Sequence, residues 1–337
     1  MRRRDIAFVF AAITAFFTAY ALLQIAVPVR LNAPVEIKIP EGTNFTAAAN
    51  ALADNGLIRD RVMFVLIGRL GGMDKKLKAG YYSFGGSVTG WYIYKALIKG
   101  YILTRSVTVV EGDSLMEIKE KLAAGGIMTG AELERLSKDK PLMLKLGVDA
   151  PSLEGYLFPD TYILPKGIDP EAVVKIMVQR LREQYGQALR EKAAGMGMNE
   201  REVLTLASII EKEASVDHER PIISAVYHNR LKKGMPLQAD PTCIYGAKPM
   251  SEGVTAKDLK RKSDYNTYII KGLPPGPIAS PGLKSIEAAL SPVDVPFIYF
   301  VSNRDGTHTF SASGGDHLRA VDYIKNRKAG KGEKGGG

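Results

Sequence analysis

Two glutamates, Glu211 and Glu213, close an apolar helical stretch in the segment ASIIEKEAS (residues 207–215). A carboxyl group at the border of an apolar face loses part of its hydration, which raises its pKa and lets it hold a proton near neutral pH. Such a group can act as a general acid. The same pair could also be a solvated helix border whose charges are balanced by Lys212, Arg220 or Arg230. The two residues alone leave both interpretations open.

The helix that carries the pair can be predicted in detail. Asn199 can cap its N-terminus, with Glu202 at the third helical position as the second half of a capping box. Apolar residues at helical spacing form one buried stripe: Val203, Leu206, Ala207, Ile210 and Ala214. At about 100° per residue, Glu211 and Glu213 border this stripe on opposite sides and Lys212 points to solvent. The two carboxyl groups therefore point apart and do not form a paired-carboxylate site.

Other catalytic and metal-binding patterns are missing from the sequence. It contains no nucleophile elbow, no H-E-x-x-H pair and no glycine-rich phosphate loop. The four histidines, His218, His228, His308 and His317, fit no metal-ligand spacing, and the single Cys243 cannot form an intramolecular disulfide or a cysteine zinc cluster. We predict neither a metal nor a cofactor.

The formal net charge of +10 raises the question of a nucleic-acid partner. Half of this charge comes from the two ends, residues 1–5 and 326–337. The remainder is a mild bias without a basic stripe or a base-reading motif, so nucleic acid is not a predicted partner.

The N-terminal segment from Ile6 to Val27 contains 22 residues without a charge. As a helix it would span roughly 30 Å, the thickness of a bilayer core. Three arginines precede it, which predicts a cytoplasmic N-terminus over residues 1–5, a membrane anchor over residues 6–29 and an extracytoplasmic remainder. A cleaved signal peptide is the alternative, but the apolar run is longer than usual for one and continues past the small residues around Tyr20.

A repeat follows the anchor. Residues 41–58 align without gaps to residues 111–128, and each copy follows a strand-like run, turns at Glu-Gly and enters a short helix closed by glycine. The pattern predicts two related βα units within residues 30–140, although chance similarity of two common patterns stays open. Between the copies lies a tyrosine-rich segment with the single Trp91, which suits either sugar stacking or a small core.

The rest of the chain predicts a mixed domain over residues 141–325, so the fold class is α+β. Helical patterns cover residues 170–195 and 199–234, and a strand pair flanks the turn at Asp305-Gly306. The Lys- and Gly-rich tail, residues 326–337, predicts disorder.

Five segments in order carry a family resemblance: LEGYLFPDTY (153–162), ASIIEKEA (207–214), VYHNRLKKGMPLQADPTCIYG (226–246), YNTYIIKGLPPGPIASPG (265–282) and ALSPVDVPFIYFVSNRDGTHTFSAS (289–313). With the single anchor they closely resemble the endolytic murein transglycosylase (YceG-like) family of bacterial inner-membrane enzymes. The resemblance runs from the anchor to about residue 325. It implies a LysM-like module over residues 30–140 ahead of a catalytic domain over residues 141–325.

The resemblance also implies a chemistry. Enzymes of this family cleave the β-1,4 bond from MurNAc to GlcNAc within peptidoglycan strands without water and leave 1,6-anhydroMurNAc ends. The family's catalytic residue is expected at Glu211, the first glutamate of the E-K-E motif, as the single general acid and base. The implied location is the inner membrane with a periplasmic catalytic domain. The implied partners are glycan strands and peptidoglycan synthases, beside which cleavage would terminate nascent strands.

Polar residues in the motifs are the candidates for binding sugar. We expect substrate-binding roles for Asn229, Gln238, Asp240, Tyr265, Asn266 and Tyr268, and supporting roles for Glu213 and Glu154. Asp240 could equally form a turn ahead of Pro241. Two alternatives stay open: a membrane-anchored peptidoglycan-binding protein without catalysis, and a glycan hydrolase that pairs Glu211 with Asp240 or Glu154.

Overall fold

The computed structural model describes residues 3–249 and 252–332. The chain divides into two units. Unit 1 comprises the chain up to Ser106 together with Ile163–Ile168, and unit 2 comprises Val107–Tyr162 and the chain from Asp169 onward.

The elements up to residue 108 are α1 (Arg3–Ala26), β1 (Val29–Arg30), β2 (Val35–Ile39), α2 (Phe45–Asp54), α3 (Arg61–Leu70), β3 (Gly80–Phe84), β4 (Ser87–Val88), α4 (Gly90–Lys99) and β5 (Thr104–Thr108). The later elements are α5 (Leu115–Ala124), α6 (Gly130–Ser137), α7 (Lys140–Lys145), β6 (Thr161–Pro165), α8 (Pro170–Gln184), α9 (Gln187–Gly195), α10 (Glu200–Glu213), α11 (Arg220–Lys232), α12 (Asp240–Ile244), α13 (Leu283–Ala289), β7 (Tyr299–Ser302), β8 (His308–Ser311) and α14 (Gly314–Gly332). The strands pair as β1–β4, β2–β3, β5–β6 and β7–β8.

Helix α1 matches the apolar segment predicted from the sequence. It is 24 residues long with a mean hydropathy of 2.2 over its most apolar window, and it is the one helix of the described residues that could cross a membrane. None of its residues is buried. These properties fit a membrane anchor or a signal sequence.

Unit 1 is built on a strand–helix–helix–strand order. Strands β2 and β3 pair antiparallel with Ile37 opposite Tyr82, and alternate residues of both strands are buried. Helices α2, α3 and α4 pack with this hairpin in one core. Each helix contributes one aromatic ring, Phe45, Phe64 and Tyr94 respectively, and the three rings stack nearly parallel. The tyrosine-rich segment thus supplies core residues in part, whereas Trp91 remains about half exposed, at 47%.

The repeat seen in the sequence is also a repeat of local structure. Gly42 and Gly112 have positive φ angles of 74° and 82°, which glycine adopts without strain and which the Glu-Gly turn requires. Asn44 and Ser114 then cap α2 and α5. The second copy repeats the larger order too, because β5 and β6 pair with α5, α6 and α7 between them in the chain.

The division into units differs from the boundary predicted at residue 140. The second copy joins unit 2 from Val107 onward, because its helices pack with the later helices of the chain, as in the α6–α8 contact. The module over residues 30–140 stays a prediction.

Helix α10 runs through the core of unit 2. The predicted capping box of Asn199 and Glu202 is present. The predicted single stripe is too narrow, since every residue from Val203 to Ile210 is buried. A helix that is buried all round meets neighbours on every side, here mainly α11 and α13. Only the two ends of α10, residues 200–202 and 211–213, approach the surface of unit 2.

The C-terminal part contains the predicted hairpin. Strands β7 and β8 pair antiparallel with Phe300 opposite Phe310. Gly306 lies in the connecting turn with a φ of 89°. Helix α14 continues to Gly332, so its last residues belong to the tail for which composition predicts disorder. The helix can continue because no proline interrupts the sequence from residue 314. Residues 333–337 of the predicted tail lie outside the described residues.

Candidate active site

The two glutamates of α10 point in different directions, as the helical spacing predicts. Two residues correspond to about 200° of rotation, so each carboxyl group meets a different set of neighbours.

Glu211 is held as an ion-paired carboxylate. One of its oxygens accepts a hydrogen bond from the Arg220 guanidinium at 2.9 Å, and the other accepts the main-chain N–H of Gly282 at 2.9 Å. The side chains of Glu211 and Arg220 are only 6% and 10% exposed. Charge-assisted bonds of this kind stabilise the ionised form of a carboxyl group.

Arg220 connects this carboxylate to several elements. Its guanidinium also donates to the Ser285 hydroxyl at 2.5 Å and to Asp217 at 3.2 Å. Ser285 belongs to α13, so the pair of Glu211 and Arg220 holds the ends of α10, α11 and α13 together. Such a fully bonded buried pair is a structural element, and removal of one partner would leave a buried charge uncompensated.

The turn of the second repeat copy packs beside Glu211. Gly112 donates its N–H to the carbonyl of Ser280, and Ser280 donates its N–H to the carbonyl of Asp113, both at 2.8 Å. Lys212 donates to the carbonyl of Gly112 at 3.2 Å. The sequence placed Lys212 in solvent. That expectation is wrong because it treated the helix without the loop that covers its last turn.

Glu213 has surroundings that favour the neutral acid. Burial of the carboxyl group, with the nearby charge of Asp240 as second cause, raises the pKa of Glu213 to about 7. The Tyr227 hydroxyl donates to it at 3.3 Å, which opposes the rise, as do the main chain of Asp240 and the charge of Arg230. A carboxyl group with this pKa can give and take a proton at neutral pH.

Asp240 and Tyr268 stand beside Glu213. Asp240 is exposed at the first position of α12, and it accepts a hydrogen bond from the Tyr268 hydroxyl at 2.5 Å. Burial and this bond together raise the pKa of Tyr268, so its hydroxyl remains a donor. The neighbourhood thus offers one neutral acid, one exposed carboxylate and one phenol.

Gln238 shapes the backbone that leads to Asp240. It is a non-glycine residue with a φ of 50°, in the left-handed region, where the backbone is strained. Two hydrogen bonds to Thr267 fix this strained conformation. The N–H of Gln238 donates to the Thr267 carbonyl at 3.0 Å, and the N–H of Ala239 donates to the Thr267 hydroxyl at 2.9 Å. The Gln238 side chain is exposed, with its amide oxygen 3.4 Å from the Arg230 guanidinium.

Two of the predicted sugar-binding residues serve the protein itself. Asn266 is fully buried, and its amide nitrogen donates to three main-chain carbonyls, those of Asp258, Leu259 and Arg261. Asn229 donates to the carbonyls of Val295 and Phe297. These amide donors are occupied, so the structure places both asparagines as supports of loops. The sequence could not separate this role from binding, because both uses need the same polar group.

Glu154 and Tyr265 belong to a second neighbourhood. Glu154 is 4% exposed and accepts the N–H of Leu115 at 2.8 Å, at the start of α5, and the hydroxyl of Tyr245 at 3.0 Å. Burial raises the pKa of Glu154 to about 7. The ring of Tyr265 lies 4.6 Å from that of Tyr245. The expected cleft carboxylate is therefore enclosed by protein groups.

The structure adds two residues to which the sequence assigned no binding or supporting role, although Arg230 was a possible counter-charge. Tyr227 is buried and bonded to Glu213, and Arg230 donates to the carbonyls of Leu237 and Ile298 at 2.7 Å each, which fixes the segment before α12. Both lie in the VYHNR motif beside Asn229. The position of both residues in a polar motif on a helix could have indicated a functional role. A tyrosine on an apolar helix face is, however, more often a core residue.

Metal binding has no support in the part of the chain that the structure describes, where no group of three or more potential His, Cys, Asp or Glu ligands occurs. Burial raises the pKa of the Cys243 thiol to about 11, so it is not a nucleophile at neutral pH. A cavity of about 790 Å³ along the first half of α10, lined by Arg201, His228 and Pro274 among others, contains neither Glu211 nor Glu213.

Comparisons with known proteins agree on one family. The model of the YceG-like family matches residues 37–323. A protein of Bacillus subtilis named endolytic murein transglycosylase is 31% identical over 87% of this chain and 86% of its own length. A Streptococcus pneumoniae protein of the same name is 28% identical over 93% of this chain and 63% of its own length. A crystal structure of a YceG-like protein from Listeria monocytogenes has a TM-score of 0.59 and 29% identity, and covers 86% of this chain and 99% of that one.

Proposed function

The chain belongs to the YceG-like family, and from this membership we propose that it is an endolytic murein transglycosylase, a lyase that cuts within peptidoglycan glycan strands. The relatives that carry this name match over most of the chain. The proposed reaction breaks the β-1,4 bond between MurNAc and GlcNAc and closes a 1,6-anhydro ring on MurNAc.

We propose Glu213 as the general acid and base, in place of Glu211. The observation that carries this choice is the position of Glu213, which accepts a hydrogen bond from the Tyr227 hydroxyl at 3.3 Å and lies beside the exposed Asp240, where burial raises its pKa to about 7. Both oxygens of Glu211 already bond to Arg220 and Gly282. These two bonds hold the Glu211 side chain against α11 and the segment before α13.

A single carboxyl group suffices for the proposed reaction. Protonated Glu213 donates its proton to the glycosidic oxygen while the bond from this oxygen to the MurNAc anomeric carbon breaks. The MurNAc 6-hydroxyl then bonds to that carbon and returns its proton to the Glu213 carboxylate. The enzyme is restored, no water is consumed, and the products are a GlcNAc hydroxyl and an anhydro end.

Asp240 and Tyr268 are the proposed partners of this acid. The Asp240 carboxylate can stabilise the positive charge that develops at the anomeric carbon once bound substrate displaces water from this exposed side chain. It also raises the pKa of Glu213, which keeps the acid protonated. Tyr268, bonded to Asp240 at 2.5 Å, orients the carboxylate.

The test is product analysis with the full chain in detergent and purified glycan strands. We expect anhydro ends by mass spectrometry, a loss of these products in Glu213→Gln, and their persistence in Glu211→Gln at a lower rate. Loss in Glu211→Gln with full activity in Glu213→Gln would restore the assignment that the family resemblance implied.

Hydrolysis is the second candidate, because Asp240 lies beside Glu213 and could activate water. Hydrolytic products would each be one water heavier than anhydro ends. A glycan-binding protein without catalysis would leave the strands intact. The same mass spectra therefore separate all three functions.

Location and partners are proposed from the same membership. The apolar α1 would anchor the chain in the inner membrane with residues 1–5 in the cytoplasm. Unit 1, with its β–α–α–β order, would act as the LysM-like glycan-binding module, and a cavity of about 510 Å³ beside α2, lined by Asn44, Asn50 and Arg69 among others, would be the place of contact. Strand termination beside peptidoglycan synthases would follow from cleavage close to the membrane.

A further inference from the structure

Helix α3 carries an apolar face that the described residues of unit 1 leave exposed. Val62, Leu66 and Leu70 are 69%, 49% and 81% exposed, and their spacing of four residues places them on one side of the helix. Arg61 and Arg69 flank them and are also exposed. The opposite side is in the core, where Phe64 is buried. The exposed side thus combines apolar residues with arginines.

This face begins beside the end of α1. Asp60 caps α3 and accepts a hydrogen bond from the hydroxyl of Tyr20, on α1, at 2.9 Å. Arg59 donates to the carbonyls of Val27 and Pro28, just after α1, at 2.7 Å each. The first turn of α3 is therefore tied to the C-terminal end of α1 by three hydrogen bonds.

Helix α4 starts at the same level. Gly90 lies against the backbone of α1, where a Cβ atom would be 3.1 Å from the Gln24 carbonyl oxygen and 3.2 Å from the Ile25 Cα, so the absence of a side chain favours this close approach. Trp91 follows at 47% exposure, and the ammonium group of Lys95 lies 5.8 Å from the centre of its ring. Tryptophan and basic residues are typical of the boundary between a membrane and water.

We propose that the exposed face of α3 and the first turn of α4 bind the outer surface of the membrane that α1 spans. Val62, Leu66 and Leu70 would enter the boundary between headgroups and acyl chains, and Arg61 would bind anionic headgroups, whereas Arg69 donates to the Thr46 hydroxyl on α2 at 3.1 Å. The proposal rests on the membrane anchor proposed above. A bilayer is the occupant that fits, because the apolar face begins beside the exposed apolar α1 and carries Arg61, which can reach headgroups.

The experiment uses Trp91, the only tryptophan of the chain. The full chain is reconstituted in vesicles that contain anionic lipids with bromine on the upper part of the acyl chains, which quenches nearby tryptophan. In Val62→Glu/Leu66→Glu/Leu70→Glu we expect the quenching to fall by about half or more, because charged side chains leave the acyl boundary. The matched control, Leu144→Glu/Ile269→Glu/Leu318→Glu, changes three exposed apolar residues of unit 2 and should retain the quenching.

A second probe tests the far end of the face. Leu70→Trp in a Trp91→Phe background places the only tryptophan about 12 Å along α3 from Val62, at the 1.5 Å rise per residue of a helix. Its matched control is Tyr101→Trp in the same background, at the exposed position beyond the C-terminal end of α4, away from α1. We expect strong quenching for the first variant and weak quenching for the second.

Each outcome decides the proposal. Quenching that is lost in the α3 triple variant and retained in the control supports it. Equal quenching in both triple variants, or no quenching of the Leu70→Trp variant, would overturn it. The chain could instead oligomerise through this face. In that case the parent would show no bromine quenching, and the molecular mass of the particle would fall in the α3 triple variant. This result would overturn membrane binding in favour of binding by a second copy of the chain. If the chain does not float with the vesicles in a density gradient, both the membrane binding of α3 and the anchor role of α1 are overturned. The proposed enzyme activity is tested separately by the formation of anhydro products.

Discussion

Glu211 and Glu213 differ in what the protein places around them, although they share one helical turn. Glu211 meets a buried guanidinium and a main-chain N–H, and both of its oxygens are bonded. Glu213 meets a phenol and a neighbouring carboxylate, and its pKa rises to about 7. The comparison teaches that two carboxyl groups in one motif can have different hydrogen-bond partners, and our proposal for their roles rests on this difference.

The largest expected effect is on the Glu213 side. Glu213→Gln removes the proposed acid, and we expect the rate of strand cleavage to fall by about 10²-fold or more. The fold should persist, and at pH 8 the variant should melt a few degrees above the parent, because glutamine has no buried charge to form. Anhydro products and a thermal melt are the measurements. A variant that melts normally and cleaves at the parental rate would contradict the assignment.

The matching change on the Glu211 side should affect stability. Arg220→Ala leaves Glu211 without its counter-ion, and we expect the free energy of unfolding to fall by about 3–5 kcal/mol. Denaturant titration measures it. Lys284→Ala is the control, because the Lys284–Asp217 pair is 64% and 58% exposed and contributes about 0–1 kcal/mol. Equal effects of the two variants would show that the buried pair is not structural.

The pH dependence of cleavage tests the charge state of Glu213. The acid form is required, and its pKa is about 7. The rate should therefore fall as the pH rises above 7, by up to about tenfold per unit. In the folded chain this carboxyl also binds a proton that the unfolded chain releases, so stability should decrease as the pH rises from about 4.5 to about 7. A rate that stays level to pH 9 would argue against Glu213.

Asp240 should help to set the pH above which the cleavage rate falls, the alkaline limit of the rate. Its charge is one of the causes that raise the pKa of Glu213, so Asp240→Asn should move the alkaline fall of the rate to lower pH, by about half a unit to one unit. The control is Asp264→Asn, at an exposed carboxylate that is not among the causes of this shift. A limit that moves upward or stays in place would remove Asp240 from the proposed site.

The smallest expected change comes from Tyr227. Its hydroxyl donates to Glu213 and opposes the rise of the pKa. Tyr227→Phe should therefore move the alkaline limit upward by a few tenths of a unit, since a single long hydrogen bond is weak. A pH profile measures it, with Tyr323→Phe as an exposed control. A downward shift would mean that the phenol acts through packing.

Local features of the fold could be predicted from the sequence. The capping box of Asn199 and Glu202, the hairpin turn at Gly306 and the two Glu-Gly turns all depend on residues a few positions apart. Their geometry follows from short-range chemistry, which a sequence displays directly. The predicted angular separation of the two glutamates belongs to the same class, because it follows from the helix period alone.

The assignment of roles could not be predicted in this way. Gly282 reaches Glu211 from 71 positions away, and Arg220 belongs to the next helix. Asn266 and Asn229 likewise bond to carbonyls of loops whose course the sequence does not reveal. Family resemblance led to a prediction at this helical turn, and the proposed difference between its two acids depends on partners that only the tertiary structure brings together.

The reciprocal hydrogen bonds between the turn at Gly112 and Ser280 have a consequence for how the chain can be cut and how it folds. These segments are far apart in sequence, so their pairing requires a large loop to close, which slows folding. A fragment that starts at residue 141, as the predicted boundary suggests, would lack the partner of Ser280 and leave main-chain groups unpaired. An expressible catalytic fragment must therefore begin at or before Val107.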